Sequence, residues 1–275
     1  MAIAQPTAEG EIQRYLLSGV SDPLSPAWQG NLLERSIRAH DELRSALIAA
    51  VRLRETNREH GLPPHVDLVG LTRTKVEPMV RGLFRRDEQQ VVLAVLERSV
   101  AFLTRNNVET ILLQESFDDS AWTLANLYLA GIGAELLSQE APRLVGFSQN
   151  TTCYVSPLYF HEEDRFADFI VHEAAHVFHN CKRATIGLPE GKSKVWLQDV
   201  AYGKRETFAY SCEAYARILE LGQCPTERQA LAHEFSTSMR ITDDRVDEGE
   251  VARIVRDAVI ARNGWKVILA ACRGK

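Results

Sequence analysis

Long hydrophobic runs are missing from this 275-residue chain. No segment approaches the roughly 18 apolar residues that a membrane-spanning helix needs, and the opening MAIAQPTAEGEIQRYLL has no basic stretch followed by a sustained apolar one. Neither membrane insertion nor secretion is therefore expected. Cysteine is scarce: the five residues at 153, 181, 212, 224 and 272 form an odd set without CxxC spacing. That suits reduced thiols in a cytoplasm better than a disulfide framework, with Cys181 and Cys212 read as small core residues. Excess positive charge is also lacking. A net charge of −5 argues against nucleic acid as a partner, because phosphate affinity comes from clustered Lys and Arg. The local group Arg81, Arg85 and Arg86 is diluted by Asp87 and Glu88 and reads as a solvated helix surface. Internal repeats and low-complexity segments are absent too.

What remains is the composition of a soluble globular protein, 45% apolar and 25% charged, with a sizeable core expected. Residues 1–30, with Pro6, Pro23, Pro26 and Gly30, read as a loosely structured opening segment. Leu33, Ile37, His40, Leu47 and Val51 set a helical period from Asn31 to about Glu59, closed by Gly61-Leu62-Pro63-Pro64. His40 on that stripe is read as a packed, hydrogen-bonded histidine. A second helix runs from Asp87 or Glu88 to about Leu103. Val108–Leu113 reads as a short buried strand, and Asp118/Asp119 as the cap of a helix reaching Gly131. Leu144–Phe147 and Cys153–Val155 flank the turn-prone Gln149-Asn150 and read as strands. Past a Gly- and Pro-bearing loop at 183–194, helical periodicity returns at about Gly203–Leu221, Thr226–Met239 and Asp247–Arg262. The expected class is α+β and helix-rich, divided into a helical region 1–105 and a second region 106–275.

Histidine is sparse as well, eight in all, yet two of them form His172-Glu173-Ala174-Ala175-His176. On a helix, imidazoles four residues apart converge on one metal ion, and the Glu between them is placed to act on a metal-bound water. Phe166, Ile170, Ala174, Val177 and Cys181 fall on one side of this helix, whereas His172, His176 and His179 fall on another. His179 lies about 10 Å along the axis from His172, too far for both to bind one ion easily, which leaves it a supporting or substrate-facing role or simple solvation. An extended form of the motif continues with Gly and then His at three-residue steps. His179 and Lys182 occupy those positions, which excludes that form.

A catalytic zinc takes three protein ligands and keeps a position for water. The third is sought on the segment Arg205–Glu213, where Glu206, Tyr210, Glu213 and Arg217 form a polar stripe opposite Phe208, Cys212, Ala216 and Leu219. Glu213 has Arg217 as an i,i+4 ion partner and Glu206 has no comparable neighbour, so Glu206 is preferred and Glu213 stays open as the alternative.

Here the chain resembles the gluzincins, zinc metallopeptidases in which a Glu from the next helix joins the two His of HExxH. Glu206-Thr207-Phe208-Ala209 is similar to the Glu-Gly-Phe-Ala segment of the aminopeptidase branch, and Tyr210 and Glu213 continue in a similar manner. The resemblance covers about 45 residues. It implies Zn2+ held by His172, His176 and Glu206, Glu173 as general base, and a zincin-like core with a small mixed sheet packed on the metal-binding helix. The spacing from His176 to Glu206 is longer than in that branch, and no GxMEN-like segment precedes the helix, so aminopeptidase activity is not implied.

The expected function is zinc-dependent hydrolysis of a peptide or protein substrate, with Tyr210 or His233 as candidate oxyanion donors and Phe147–Tyr154 as a candidate edge strand for an extended peptide. The alternatives are a non-proteolytic zincin-like protein, acting on a small molecule or as a regulatory partner, and a helical adaptor in which HExxH is incidental.

Overall fold

The computed structural model describes residues 6–56, 62–191, 194–241 and 243–274. Their helices, in chain order, are α1 Ala8–Ser18, α2 Leu32–Arg54, α3 Leu68–Leu83, α4 Arg86–Leu96, α5 Val108–Gln114, α6 Asp118–Gly131, α7 Phe169–Asn180, α8 Arg205–Leu221, α9 Pro225–Ser238, α10 Glu248–Ile260 and α11 Gly264–Cys272. The strands β1 Val100–Phe102, β2 Gly146–Gln149 and β3 Thr152–Val155 make one sheet in the order β1-β3-β2. The protein is thus helix-rich α+β with a small sheet.

Two compact units share the chain. One comprises Met1–Leu62, Phe102–Phe147 and Ser156–Leu158; the other comprises Pro63–Ala101, Ser148–Val155 and Tyr159–Lys275. The division expected at residue 105 does not follow this partition, because α3 and α4 belong with the unit that carries α7. Sequence order could not reveal that, since α3 packs on α7 and α11, nearly 100 and 190 residues away in the chain.

In the first unit α6 is enclosed by α2 and α5, and residues around its whole circumference, among them Trp122, Leu124, Leu127 and Leu129, are buried. Each large apolar side chain so buried contributes about 1.5–3 kcal/mol. The opening segment is not loose. Thr7 caps α1, Tyr15 donates its hydroxyl to the Asp118 carbonyl at 2.7 Å, and Gly19 ends the helix with φ of 72°. A Cβ on Gly19 would lie 2.9 Å from the Trp122 ring, so glycine meets both the backbone and the packing demand there.

Val108–Leu113 is helical rather than extended: Val108 and Leu112, four residues apart, bury one face of α5. A short apolar run cannot be assigned to strand or helix by periodicity alone. The helix expected to reach Leu103 stops at Leu96, where the Ser99 hydroxyl donates to the Leu96 carbonyl, and the chain then enters β1. In α2 the turn of the helix leaves Leu33 and Ile37 exposed and His40 beside Asp118, with Nδ1 3.4 Å from Oδ1. The helix expected to reach about Glu59 ends at Arg54, where Glu55 leaves the helical conformation; residues 57–61, with the break at Gly61, lie outside the described residues.

The second unit holds α7 against α3, α8 and β3. Helices α3 and α11 were not anticipated; Gly70, Pro78 and Gly82 interrupt the pattern of α3, and α11 follows directly on the Asn263 cap. The loop expected at 183–194 contains a 3-10 turn at Arg183–Ile186, and residues 192–193 lie outside the described set. On the far side of α8, Phe166, Ile218, Phe235, Val251 and Val255 close a core with α9 and α10.

Candidate metal centre

Asp168 sets the start of the metal-motif helix. Its carboxylate accepts from Val171 N at 3.2 Å, which caps α7 one turn before His172. Burial pushes this carboxyl up, against the pull of Lys75, whose ammonium lies 3.0 Å from Oδ2. Ala174 and Ala175, both fully buried, keep the packing face of α7 narrow enough for its neighbours to approach closely.

On α8 the polar stripe is turned toward α7. Glu206 Oε2 lies 3.6 Å from His172 Nε2 and 3.3 Å from His176 Nε2. All three ligand-type atoms fall within 4.8 Å of one another. The remaining contacts settle which imidazole nitrogens face this point. His172 Nδ1 lies 2.9 Å from Glu213 Oε2, to which it donates. His176 Nδ1 lies 3.0 Å from His179 Nε2, and His179 Nδ1 lies 3.1 Å from Asn180 Oδ1, so the donor chain runs from His176 through His179 to Asn180. Both Nε2 lone pairs are thereby directed at the same place.

The separations fit a first-row divalent ion. Ligand bonds of about 2.0–2.2 Å in a tetrahedron put neighbouring donor atoms about 3.3–3.6 Å apart, a range that holds both spacings of Glu206 Oε2 from the ring nitrogens. The other oxygen of Glu206, Oε1, faces Arg245 Nη2 at 3.4 Å, and Arg245 is itself held by Asp243. With one oxygen engaged in this way Glu206 offers a single donor atom, so among the described residues the cluster presents three.

The carboxylates of Glu206 and Glu213 favour positive charge at this point, and with no ion bound that charge is a proton on His172. Burial lowers the proton affinity of His172, but the bonds with Glu206 and Glu213 outweigh it and carry the ring up to about 10. Burial raises Glu206, yet the facing histidines pull its carboxyl far below the usual range. Burial and the neighbouring His176 push His179 down to about 3, which keeps it neutral and able to accept from His176. Glu173 is 6% exposed; burial drives its carboxyl upward while His176, His172 and a hydrogen bond from Ser148 on β2 oppose the shift.

Glu213 does not pair with Arg217: its Oε1 accepts from Asp168 N at 2.7 Å and its Oε2 from His172, while Arg217 bonds Glu220 and the Arg165 carbonyl. Glu213 is a support of the cluster rather than a member. Tyr210 packs its ring edge-on against His172 at 4.6 Å, whereas His233 is exposed on α9. In the proposed edge segment 147–154, β3 is the central strand and only β2 is an edge.

Asp168, Lys75, Ser148 and Arg245 were not singled out from sequence. Asp168 carried a signal, an Asp directly before an apolar helical run. Lys75 and Arg245 come from far along the chain and carried none. Comparison with known proteins adds nothing: no family model, curated protein or solved structure matches the chain.

Proposed function

We propose that the protein is a zinc-dependent hydrolase, a metallopeptidase whose metal is held by His172, His176 and Glu206. The observation that carries this reading is the convergence of two Nε2 atoms and one carboxylate oxygen within 4.8 Å of one another, with Nδ1 of each ring engaged by Glu213 or His179. When bound, zinc supplies Lewis acidity and lowers the pKa of a water from 15.7 toward about 7.

Glu173 would serve as the general base, accepting a proton at its carboxylate. Its burial raises its proton affinity, which suits a carboxylate that must accept a proton near neutral pH and return it to a leaving amine. Ser148 orients the Glu173 carboxylate. Tyr210, against the His172 ring, is the nearer of the two candidate oxyanion donors. An extended peptide is the substrate class favoured here, because β2 is a sheet edge that also brings Ser148 to Glu173. The likeness to gluzincins is confined to the α7–α8 pair and does not extend to a whole zincin core. Five free cysteines favour a reducing, cytoplasmic setting.

Metal analysis of protein purified without added zinc is expected to give about one equivalent, and far less for Glu206→Ala. Glu173→Gln is expected to keep the metal and lose turnover on a peptide library. A metal-free wild type overturns the reading. Metal retention with no peptide hydrolysis by the wild type replaces it with the non-proteolytic alternative.

A further inference from the structure

Arg205 opens α8, one residue before Glu206. Its Nε is buried without a hydrogen-bond partner, and among the described residues no carboxylate pairs with it. The neighbouring cations differ: Lys204 pairs with Glu250 at 2.5 Å, and Arg245 is shared between Asp243 and Glu206. A guanidinium partly withdrawn from water with no counter-ion is an unfavourable arrangement that a bound anion relieves.

Position and orientation suit such a role. The guanidinium carbon sits 4.9 Å from the centre of the Tyr202 ring, and Tyr202 is 84% exposed, so one face is covered by an aromatic that itself borders solvent. A guanidinium presents its Nη donors as a planar fork that matches a carboxylate. Arg205 directly precedes Glu206 in the first turn of α8, and Glu206 Oε2 lies 3.3 Å from His176 Nε2. No side chain caps the first turn of α8, which adds to the positive potential there.

We propose that Arg205 binds a carboxylate of the substrate, so that the site acts on acyl compounds carrying a carboxylate within a few bonds of the scissile carbonyl. This rests on the zinc hydrolase reading above.

The test uses the full-length, zinc-loaded protein and the monohydroxamates of succinic, glutaric and adipic acids, each beside its methyl ester. The hydroxamate anchors at zinc, and the chain length varies the reach of the carboxylate. For at least one length the free acid is expected to bind about tenfold or more tighter than its ester. Arg205→Gln is expected to abolish that gain without changing ester binding, and Arg205→Lys to keep part of it. Equal binding of acid and ester at every length, or a gain that survives in Arg205→Gln, overturns the assignment of Arg205. Failure of every ester to bind zinc-loaded wild type better than chelator-stripped protein instead overturns the zinc reading, and the inference falls with it.

Discussion

Glu213 on α8 holds α7 at two points with its two oxygens, accepting from His172 Nδ1 at 2.9 Å and from the backbone N of Asp168 at 2.7 Å. The carboxylate that orients a candidate metal ligand therefore also holds the start of the helix on which that ligand sits. Removing it acts on both.

Replacing Glu213 by Ala is expected to weaken zinc retention about 10- to 100-fold, as is usual when the carboxylate behind a metal-bound histidine is lost. Glu213→Gln keeps an acceptor for one of the two donors and is expected to fall between Ala and wild type. Competition with a fluorescent chelator measures both, and wild-type affinity in the Ala variant would refute the orienting role.

His179 supplies the corresponding support for His176, but through a neutral ring. His179→Ala leaves a buried N–H without its acceptor, and a loss of about tenfold or more in zinc affinity is expected. His179→Gln retains an acceptor oxygen and is expected to recover part of it. Equal affinities in the two variants would show that the hydrogen bond contributes nothing.

Arg183 and Glu88 form an ion pair out of water, at 2.5 Å, with Arg183 only 3% exposed and its Nε donating to the Pro189 carbonyl. Arg183→Ala strands the Glu88 carboxylate, and a destabilisation of about 3–5 kcal/mol is expected in urea unfolding. The double variant Arg183→Met with Glu88→Leu is expected to be more stable than Arg183→Ala alone, since no charge is then left unpaired.

Gly82 lies inside α3, where Ala would ordinarily stabilise a helix by about 0.5–1 kcal/mol. A Cβ there would come within 2.1 Å of Trp265 Cδ1 on α11. Gly82→Ala is therefore expected to reverse that sign and cost about 1–3 kcal/mol by overpacking. A raised denaturation midpoint would show that α11 can yield at this contact.

Local periodicity determined much of this molecule without help. The alignment of His172 with His176, the apolar back of α7, and helices at α2, α6, α8, α9 and α10 follow from side-chain spacing at 3.6 residues per turn. Periodicity was mute where the signal is short or broken: Val108–Leu113 could be strand or helix, α3 carries two glycines and a proline, and α1 hides among prolines. The choice between Glu206 and Glu213 lay beyond it for another reason. Both sit on one stripe of α8, about two turns apart, and only the packing of that helix against α7 sends one carboxylate to the Nε2 atoms and the other to Nδ1. Spacing along a helix decides which side chains share a face, whereas which atom of a neighbouring helix each one meets depends on a crossing geometry that arises only when distant segments pack together.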